Sequence, residues 1–448
     1  MTQIFPEKYT YTSILRFVLP SIAMMITASV YWLADGFFVS RFVGKTEFAA
    51  LSLVYPIMAS VGALGVMFGT GGAAVVGKTL GEESRNVGAG RANSFFSSIM
   101  YTVLILGFAL GILGLMFLPG ILKFLGADSS LLHAGIVYGN VVLLALPFFI
   151  GEYAFQSFFV TAGKPQLGFY ATVLGGVLNL ALDAFFILVL NWGLLGAAVA
   201  TAISQVVCVA LELLYFVLPN DSLLRLRLVP DFEWRVLFKA CLNGSSEMVE
   251  ELAGSVVVIF YNYQLLRYIG ENGVAAYGII EYSAFIFAAV FFGYTVGISP
   301  LISYQYGAEN HKALRELYRK SRNMMLISGA FMAGSVWLFS PVLAEIFVCY
   351  DIKLYNLVVH AFSIYAASFL FIGLSIFTSA FFTALCNGSL SAVLAFARAF
   401  VFEIGCILIL PLICGMNGIW YAAVVAEIAA FLMSIAALSM FRKKYQYA

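Results

Sequence analysis

Charge is what this sequence has least of. Only 10% of its 448 residues are charged, against about 25% in a typical soluble domain, while 62% are hydrophobic and the mean hydropathy is +0.97. A soluble globular protein is therefore excluded, because so apolar a chain could not cover its surface with polar groups. The net charge of +1 leaves no basic field for nucleic acid.

Motifs of enzymes are also missing. The three histidines, His133, His311 and His360, have no metal spacing, and no His-Glu-x-x-His occurs. The segment Gly69–Gly72 reads Gly-Thr-Gly-Gly, but no Gly-Lys-Ser/Thr follows it, which excludes a phosphate loop. Its glycines are typical of a close helix contact in a membrane. We therefore predict no enzyme and no cofactor.

The cysteines and the N-terminal segment add little information about function. The start, Met1–Thr12, is polar and lacks a cleavable apolar region, so we expect no signal peptide. The six cysteines have no pairing rhythm and are interpreted as small core residues; they are Cys208, Cys241, Cys349, Cys386, Cys406 and Cys414.

What the sequence has in abundance is long apolar runs. Each can cross a hydrocarbon core of about 30 Å as a helix, and the alternating ten-residue pattern of barrel strands is absent. We predict an all-α integral membrane protein with twelve transmembrane helices at 13–38, 48–77, 92–118, 132–160, 166–190, 193–218, 237–266, 273–303, 322–348, 355–385, 389–413 and 416–440.

The chain also repeats itself once. Arg41–Gly81 matches Arg267–Gly307 without a gap at an offset of 226, and Gly193–Gly196 answers Gly415–Gly418 at an offset of 222. Each repeat holds six spans, so we predict two six-helix bundles in the same orientation, related by a pseudo-two-fold axis along the membrane normal. Residues 1–218 form the N-lobe, 219–236 a cytosolic linker and 237–448 the C-lobe.

Basic residues set the orientation. If both termini are cytosolic, 18 Lys and Arg residues lie inside and five outside, with Arg398 alone within a span. Because cytosolic loops of helical membrane proteins carry the excess of Lys and Arg, we predict a multi-pass protein of the cytoplasmic membrane with both termini cytosolic. We expect it to be a monomer in the lipid bilayer.

Acidic residues within spans mark candidate ion or substrate paths. Asp35 on span 1, Asn179 and Asp183 on span 5 and Thr201 on span 6 lie at similar depth, roughly 9–12 Å below the outer surface at 1.5 Å per residue. This set offers only oxygen ligands, which suits a proton or a hard cation such as Na⁺. The matching positions of the second half are Tyr261, Phe402, Cys406 and Ala423, so we predict the cluster in one half only.

The second half carries its own acids within spans, and they outnumber its one arginine. These acids are Glu247, Glu250, Glu251, Glu281, Glu403 and Glu427. We predict that Arg398 is a counter-charge paired with an acid on another span, with Glu427 or Glu281 as candidates, because an unpaired buried charge is costly. Glu251, Glu281, Glu427 and Arg398 are the predicted substrate-cavity residues, and the excess acid favours organic cations.

Several local patterns together resemble a known family. These are Leu33-Ala34-Asp35-Gly36 before Arg41, the glycines of span 2, Asn179-Leu180-Ala181-Leu182-Asp183, Gly193–Gly196 with Thr201, and Ser299-Pro300 before Gln305-Tyr306-Gly307. They resemble the MATE (multidrug and toxic compound extrusion) transporters, in particular the bacterial branch with MepA and DinF types. The resemblance covers nearly the whole chain, but the Glu-rich start of span 7 and Glu281 depart from it.

The resemblance implies a cation-coupled antiporter whose coupling site matches Asp35, Asn179, Asp183 and Thr201. We therefore expect alternating-access export of small, cationic amphipathic drugs, driven by Na⁺ or H⁺. A lipid-linked oligosaccharide or lipid flippase of similar two-lobe architecture is the alternative, and it predicts a cationic cavity. An intramembrane enzyme would need a paired nucleophile and base within the spans, and a passive channel would not need the duplication.

Overall fold

The computed structural model describes residues 6, 8–85, 90–348 and 351–448, and these ranges contain helices and no β-strand. Cys349 lies outside them. Contiguous helical segments taken together, the elements are α1 (Tyr11–Val43), α2 (Thr46–Glu83), α3 (Arg91–Phe124), α4 (Ser129–Leu144), α5 (Leu146–Thr161), α6 (Pro165–Val189), α7 (Gly193–Val217), α8 (Trp234–Tyr268), α9 (Glu271–Gly307), α10 (His311–Val348), α11 (Ile352–Ala384), α12 (Gly388–Cys414) and α13 (Met416–Tyr445).

Ten of the described helices are long and apolar enough to cross a membrane, and α4 with α5 makes an eleventh span if the pair is taken as one, bent by 55°. The bend falls within the predicted fourth span. The predicted seventh span is α8, which at 35 residues has the length to cross. It is not among the helices whose composition alone supports a span, so composition supports eleven of the twelve.

Polar caps fix where several helices begin. Thr10 and Ser13 form a capping box at the start of α1, with the Ser13 N–H donating to Thr10 Oγ1 at 3.1 Å. Asp128 accepts from the Leu131 N–H at 2.8 Å at the start of α4, and Asp351 accepts from the Lys353 N–H at 2.9 Å at the start of α11. These side chains satisfy backbone donors that the first helical turn leaves free.

Three π-helical segments interrupt the spans: Val39–Val43 in α1, Ala184–Val189 in α6 and Ala397–Ile404 in α12. Such segments widen the turn and occur often at functional sites. The second begins directly after Asp183, and the third contains Arg398 and Glu403. The sequence gives no signal for them, yet they decide which way the candidate residues point.

The segment between α7 and α8, residues 218–233, is irregular but held in place. The Arg227 N–H donates to Ser97 Oγ at 2.7 Å. Lys164 Nζ lies 2.8 Å from Asp221 Oδ2, and this hydrogen bond keeps the pKa of Asp221 below its ordinary value. The segment coincides with the predicted linker, except that α8 begins at Trp234. The division of the chain into two lobes at this point stays a prediction.

Glycines bring the two halves into backbone contact and reveal the repeat symmetry. A Cβ on Gly71 of α2 would collide with the backbone of Gly244 on α8. Adding the offset of 226 to Gly71 gives Gly297 on α9, and subtracting it from Gly244 gives Val18 on α1. A Cβ on Gly297 would indeed meet Val18. Reciprocal contacts of this kind are what a two-fold relation between the halves requires.

A second reciprocal contact closes one end of the bundle. A Cβ on Gly81 would fall on the carbonyl oxygen of Tyr304, and a Cβ on Gly307 would fall on that of Lys78. Tyr306 packs against Tyr445. Tyr9 accepts hydrogen bonds from Gln305 Nε2 on α9 and from Lys320 Nζ on α10, so Tyr9 and Tyr445 both lie at this end. The two halves are therefore closed against each other at the end predicted to be cytosolic.

We predict that Gly307→Val opens this end. The added side chain meets backbone rather than a movable side chain, so α2 and α9 must separate. Ser303 is fully buried. It can be replaced by cysteine in a variant without other cysteines, and the rate at which N-ethylmaleimide labels this cysteine can then be measured. A shift of about 1.4 kcal/mol in the closing equilibrium would speed labelling about tenfold.

The matched control is Gly278→Val on the same helix, where a Cβ meets nothing within 4 Å. Equal labelling rates in the two valine variants would contradict closure by this glycine contact.

Candidate cation and substrate sites

The structure brings the four predicted coupling residues together from three helices. The carboxyl groups of Asp35 on α1 and Asp183 on α6 interact directly. In the amide orientation that satisfies its neighbours, Asn179 Nδ2 donates to Asp183 Oδ2 at 3.1 Å, and its oxygen accepts from Thr201 Oγ1 and the Thr201 N–H, each at 3.3 Å. We call Asp35, Asn179, Asp183 and Thr201 the coupling cluster.

The coupling cluster holds negative charge that no described basic residue neutralises. Asn179 and Asp183 are fully buried, and Asp35 is half-buried. One oxygen of each aspartate, Oδ1, is buried without a hydrogen-bond partner in the described chain. Two buried carboxylates in contact cannot both stay charged without a counter-charge. The arrangement therefore suits a site that takes up a proton or a hard monovalent cation.

Two tyrosines complete this site, and the sequence did not single them out. Tyr138 on α4 interacts with Thr201 and with both aspartates. Tyr31, one turn before Asp35 on α1, interacts with Asp35 and with Glu152 on α5. Among 24 tyrosines no spacing distinguishes these two; only the packing of α4 against α7 places Tyr138 there.

Arg398 is paired as predicted. Its Nε lies 2.9 Å from Glu427 Oε1 on α13, and its Nη1 lies 3.3 Å from Glu250 Oε1 on α8. The expected pairing with an acid on another span, Glu427, is confirmed. Glu281 has no described salt bridge to Arg398. One arginine thus meets two carboxylates, and Glu427 Oε2 is still buried without a partner.

The second half has no copy of the coupling cluster at the aligned positions, but it places acids close to two of them. Glu403 interacts electrostatically with Tyr261, the repeat equivalent of Asp35, and with Cys406, the equivalent of Asp183. Glu281 hydrogen-bonds with Tyr277, whose ring stacks on that of Tyr261 at 4.5 Å. Neither acid occupies an aligned position, and Glu403 lies in the π-helical segment of α12.

The three glutamates at the start of α8 have three different surroundings. Glu247 accepts a hydrogen bond from Ser246 Oγ at 2.5 Å, and Glu250 belongs to the pair with Arg398. Glu251 is exposed and interacts electrostatically with Tyr55 on α2 and Tyr153 on α5. Because those tyrosines belong to the first half, Glu251 is the member of the trio that faces the first half.

The chain has this two-fold arrangement of helices and a buried, uncompensated acid pair. Its residues 20–185 and 248–408 match a family model named MatE. The chain belongs to the MatE family. It is 23% identical over 365 residues to the probable multidrug resistance protein YoeA of Bacillus subtilis, covering 79% of this chain and 77% of YoeA. It is 25% identical over 305 residues to the multidrug export protein MepA of Staphylococcus haemolyticus, covering 67% and 66%.

The fold has a solved counterpart as well. A multidrug resistance MATE family transporter of the MOP superfamily, in an outward-facing conformation, superposes with a TM-score of 0.90 at 23% identity, covering 97% of this chain and 96% of that one. This likeness confirms the all-α, two-bundle membrane fold expected from the sequence. The roles of the individual site residues stay predictions.

We predict that Arg398→Ala destabilises the protein. The change leaves Glu250 and Glu427 without a basic partner, and breaking a buried pair in this way costs about 3–5 kcal/mol. Thermal melting in detergent would show a lower Tm, with Arg442→Ala at the exposed end of α13 as the control. The triple variant with Glu250→Gln and Glu427→Gln should recover most of the loss. A triple variant as unstable as Arg398→Ala would mean that the arginine acts through packing rather than charge.

Proposed function

We propose that this MatE protein is a multidrug exporter of the cytoplasmic membrane that exchanges organic cations for Na⁺ or H⁺ by alternating access. The observation that carries the proposal is the pair Asp35 and Asp183, buried in contact without a described counter-charge. Such a pair is stable only when a cation or a proton occupies it, so its occupancy can be tied to a conformational equilibrium.

The helices that carry the coupling cluster also reach the other half. Asp35 lies on α1, which packs along α9 through the contact of Val18 with Gly297. Filling the cluster draws α1 towards α6 and α7, and emptying it lets the two carboxylates repel each other. Any shift of α1 alters its contact with α9, and the cluster therefore biases the relation between the halves. By linkage, the half-to-half arrangement alters cation affinity by the same factor.

The cleft between the halves suits an organic cation. Glu251 projects into it beside Tyr55 and Tyr153, which are 38% and 36% exposed. A carboxylate beside two tyrosine rings attracts a delocalised cation through charge and through cation–π contacts. The names of the relatives, multidrug export protein and probable multidrug resistance protein, support small-molecule drugs as the transported compounds.

The flippase alternative is less well supported. A site for a pyrophosphate-linked lipid needs uncompensated positive charge, whereas Arg398 is occupied by Glu250 and Glu427. An enzyme is also not supported, since the relatives are named as transport proteins.

We predict that Asp35→Asn and Asp183→Asn each abolish gradient-driven export while the protein still folds. Either change removes the charge that a coupling cation neutralises but keeps the side-chain volume. Ethidium transport in proteoliposomes under imposed Na⁺ gradients, and separately under H⁺ gradients, would measure the loss and identify the ion. Near-normal transport by either variant would remove the cluster from the mechanism; Asp128→Asn, at the exposed start of α4, is the control.

We also predict that Glu251→Gln and Glu281→Gln weaken binding of cationic compounds more than of neutral ones. One carboxylate at contact is worth on the order of a few kcal/mol at an effective dielectric constant near 20, and a neutral ligand does not feel it. Fluorescence titration with tetraphenylphosphonium competitors and with uncharged analogues would separate the two. An equal loss of affinity for both classes would show that these acids serve packing.

A further inference from the structure

Helix α7 carries a stripe of polar side chains along one face. Thr201, Gln205, Cys208, Glu212 and Tyr215 follow one another at spacings of four, three, four and three residues, which aligns them on a single side of the helix. Thr201 belongs to the coupling cluster, and Tyr215 lies two residues before the end of α7 at Val217. At 1.5 Å per residue the stripe runs about 21 Å from the cluster towards the cytosolic end.

The stripe is buried and incompletely satisfied. Gln205 and Glu212 are 6% and 3% exposed. Gln205 Oε1, Glu212 Oε2 and the Tyr215 hydroxyl are buried without a hydrogen-bond partner in the described chain. Polar atoms are costly to leave unpaired inside a membrane protein, and an ionisable one there points to a functional path.

A second acid faces this stripe from α5. Glu152 follows Gly151, where a Cβ would meet Val209 Cγ1 of α7 at 3.5 Å, so this part of α5 packs against α7. Glu152 interacts electrostatically with Glu212, and both interact with Cys208. Glu152 also interacts electrostatically with Tyr31, which in turn interacts with Asp35 of the coupling cluster. The other titratable group that faces Glu152 is Tyr153. No described salt bridge includes Glu152 or Glu212, so the pair has no counter-charge.

Two acids in this position suit a proton better than a metal cation. A hard cation needs several oxygen ligands held around one point, whereas here two carboxylates share their surroundings with a thiol and with tyrosines. A single shared proton removes the repulsion between them without further ligands. Tyr31 interacts with both Glu152 and Asp35 and so connects the pair to the coupling cluster.

We propose that Glu152 and Glu212 form an inner proton site, which passes protons between the coupling cluster and the cytosolic end of α7. A proton leaving the cluster is taken up by the carboxylate of Glu152, is shared with Glu212 and is released to water beyond Tyr215; no other bond changes. The inference rests on the proposed cation-coupled export and specifies H⁺ as the ion that uses this path.

The test compares Glu152→Gln and Glu212→Gln with wild type in proteoliposomes that carry an internal pH dye. Ethidium transport and proton flux are followed together under an imposed pH gradient. We expect each variant to lower proton-driven transport and flux at least about tenfold, while ethidium binding in detergent changes less than about twofold. Glu345→Gln, an exposed glutamate on α10, should behave as wild type, and Asp35→Asn should be inactive.

The outcomes separate the two proposals. Wild-type flux in both Glu→Gln variants beside an inactive Asp35→Asn would overturn the inner proton site and leave the export mechanism standing. An active Asp35→Asn variant would overturn the export mechanism itself. Transport driven by Na⁺ and not by H⁺ would also overturn the inner proton site.

A second measurement does not depend on how the variants fold. Dicyclohexylcarbodiimide adds to protonated carboxyl groups in apolar surroundings, and mass spectrometry can map the adduct in the wild-type protein. We expect modification of Glu152 or Glu212, reduced by raising the pH. No modification of either residue while other buried acids react would overturn the proposal.

Discussion

Negative charge held inside a membrane without enough positive charge is the constraint on which this molecule depends. Arg398 is the only basic residue predicted to lie within a span, and it is already shared by Glu250 and Glu427. The remaining carboxylates, Asp35 and Asp183 among them, must be satisfied by hydrogen bonds or by something that arrives from outside. A protein that only needed to fold would have little use for such groups, since apolar side chains of equal size would cost less.

On the proposed mechanism, the glycine contacts between the halves are the part of the structure on which that charge acts. Gly71 with Gly244 and Gly297 with Val18 are reciprocal contacts, so neither half can move at one of them without altering the other. Backbone packed against backbone has two good arrangements, in contact or apart, and few between. On the proposed mechanism, small energetic changes at the coupling cluster are converted into closing or opening of one end of the bundle.

The sequence predicted the large features because they depend on composition and period. The apolar runs, the offset of 226 and the bias of basic residues require no knowledge of packing. The coupling cluster could also be predicted from the sequence, because Asn179 and Asp183 are four residues apart and Asp35 and Thr201 lie at similar depth. The sequence could not predict that Glu403 lies beside Tyr261 or that Glu152 lies beside Glu212. Those contacts depend on π-helical turns and on the packing between helices.

The two halves share a backbone plan but differ in how they neutralise acid. In the first half the acids face tyrosines, an amide and hydroxyls, all of which leave their charge open to a mobile cation. In the second half an arginine fixed within the protein neutralises part of the charge permanently, and Glu251 is left facing the cleft. A fixed counter-charge cannot respond to a gradient, whereas an exchangeable one can. The asymmetry therefore supports our proposal that energy coupling belongs to the first half and that recognition of the transported cation involves Glu251 of the second.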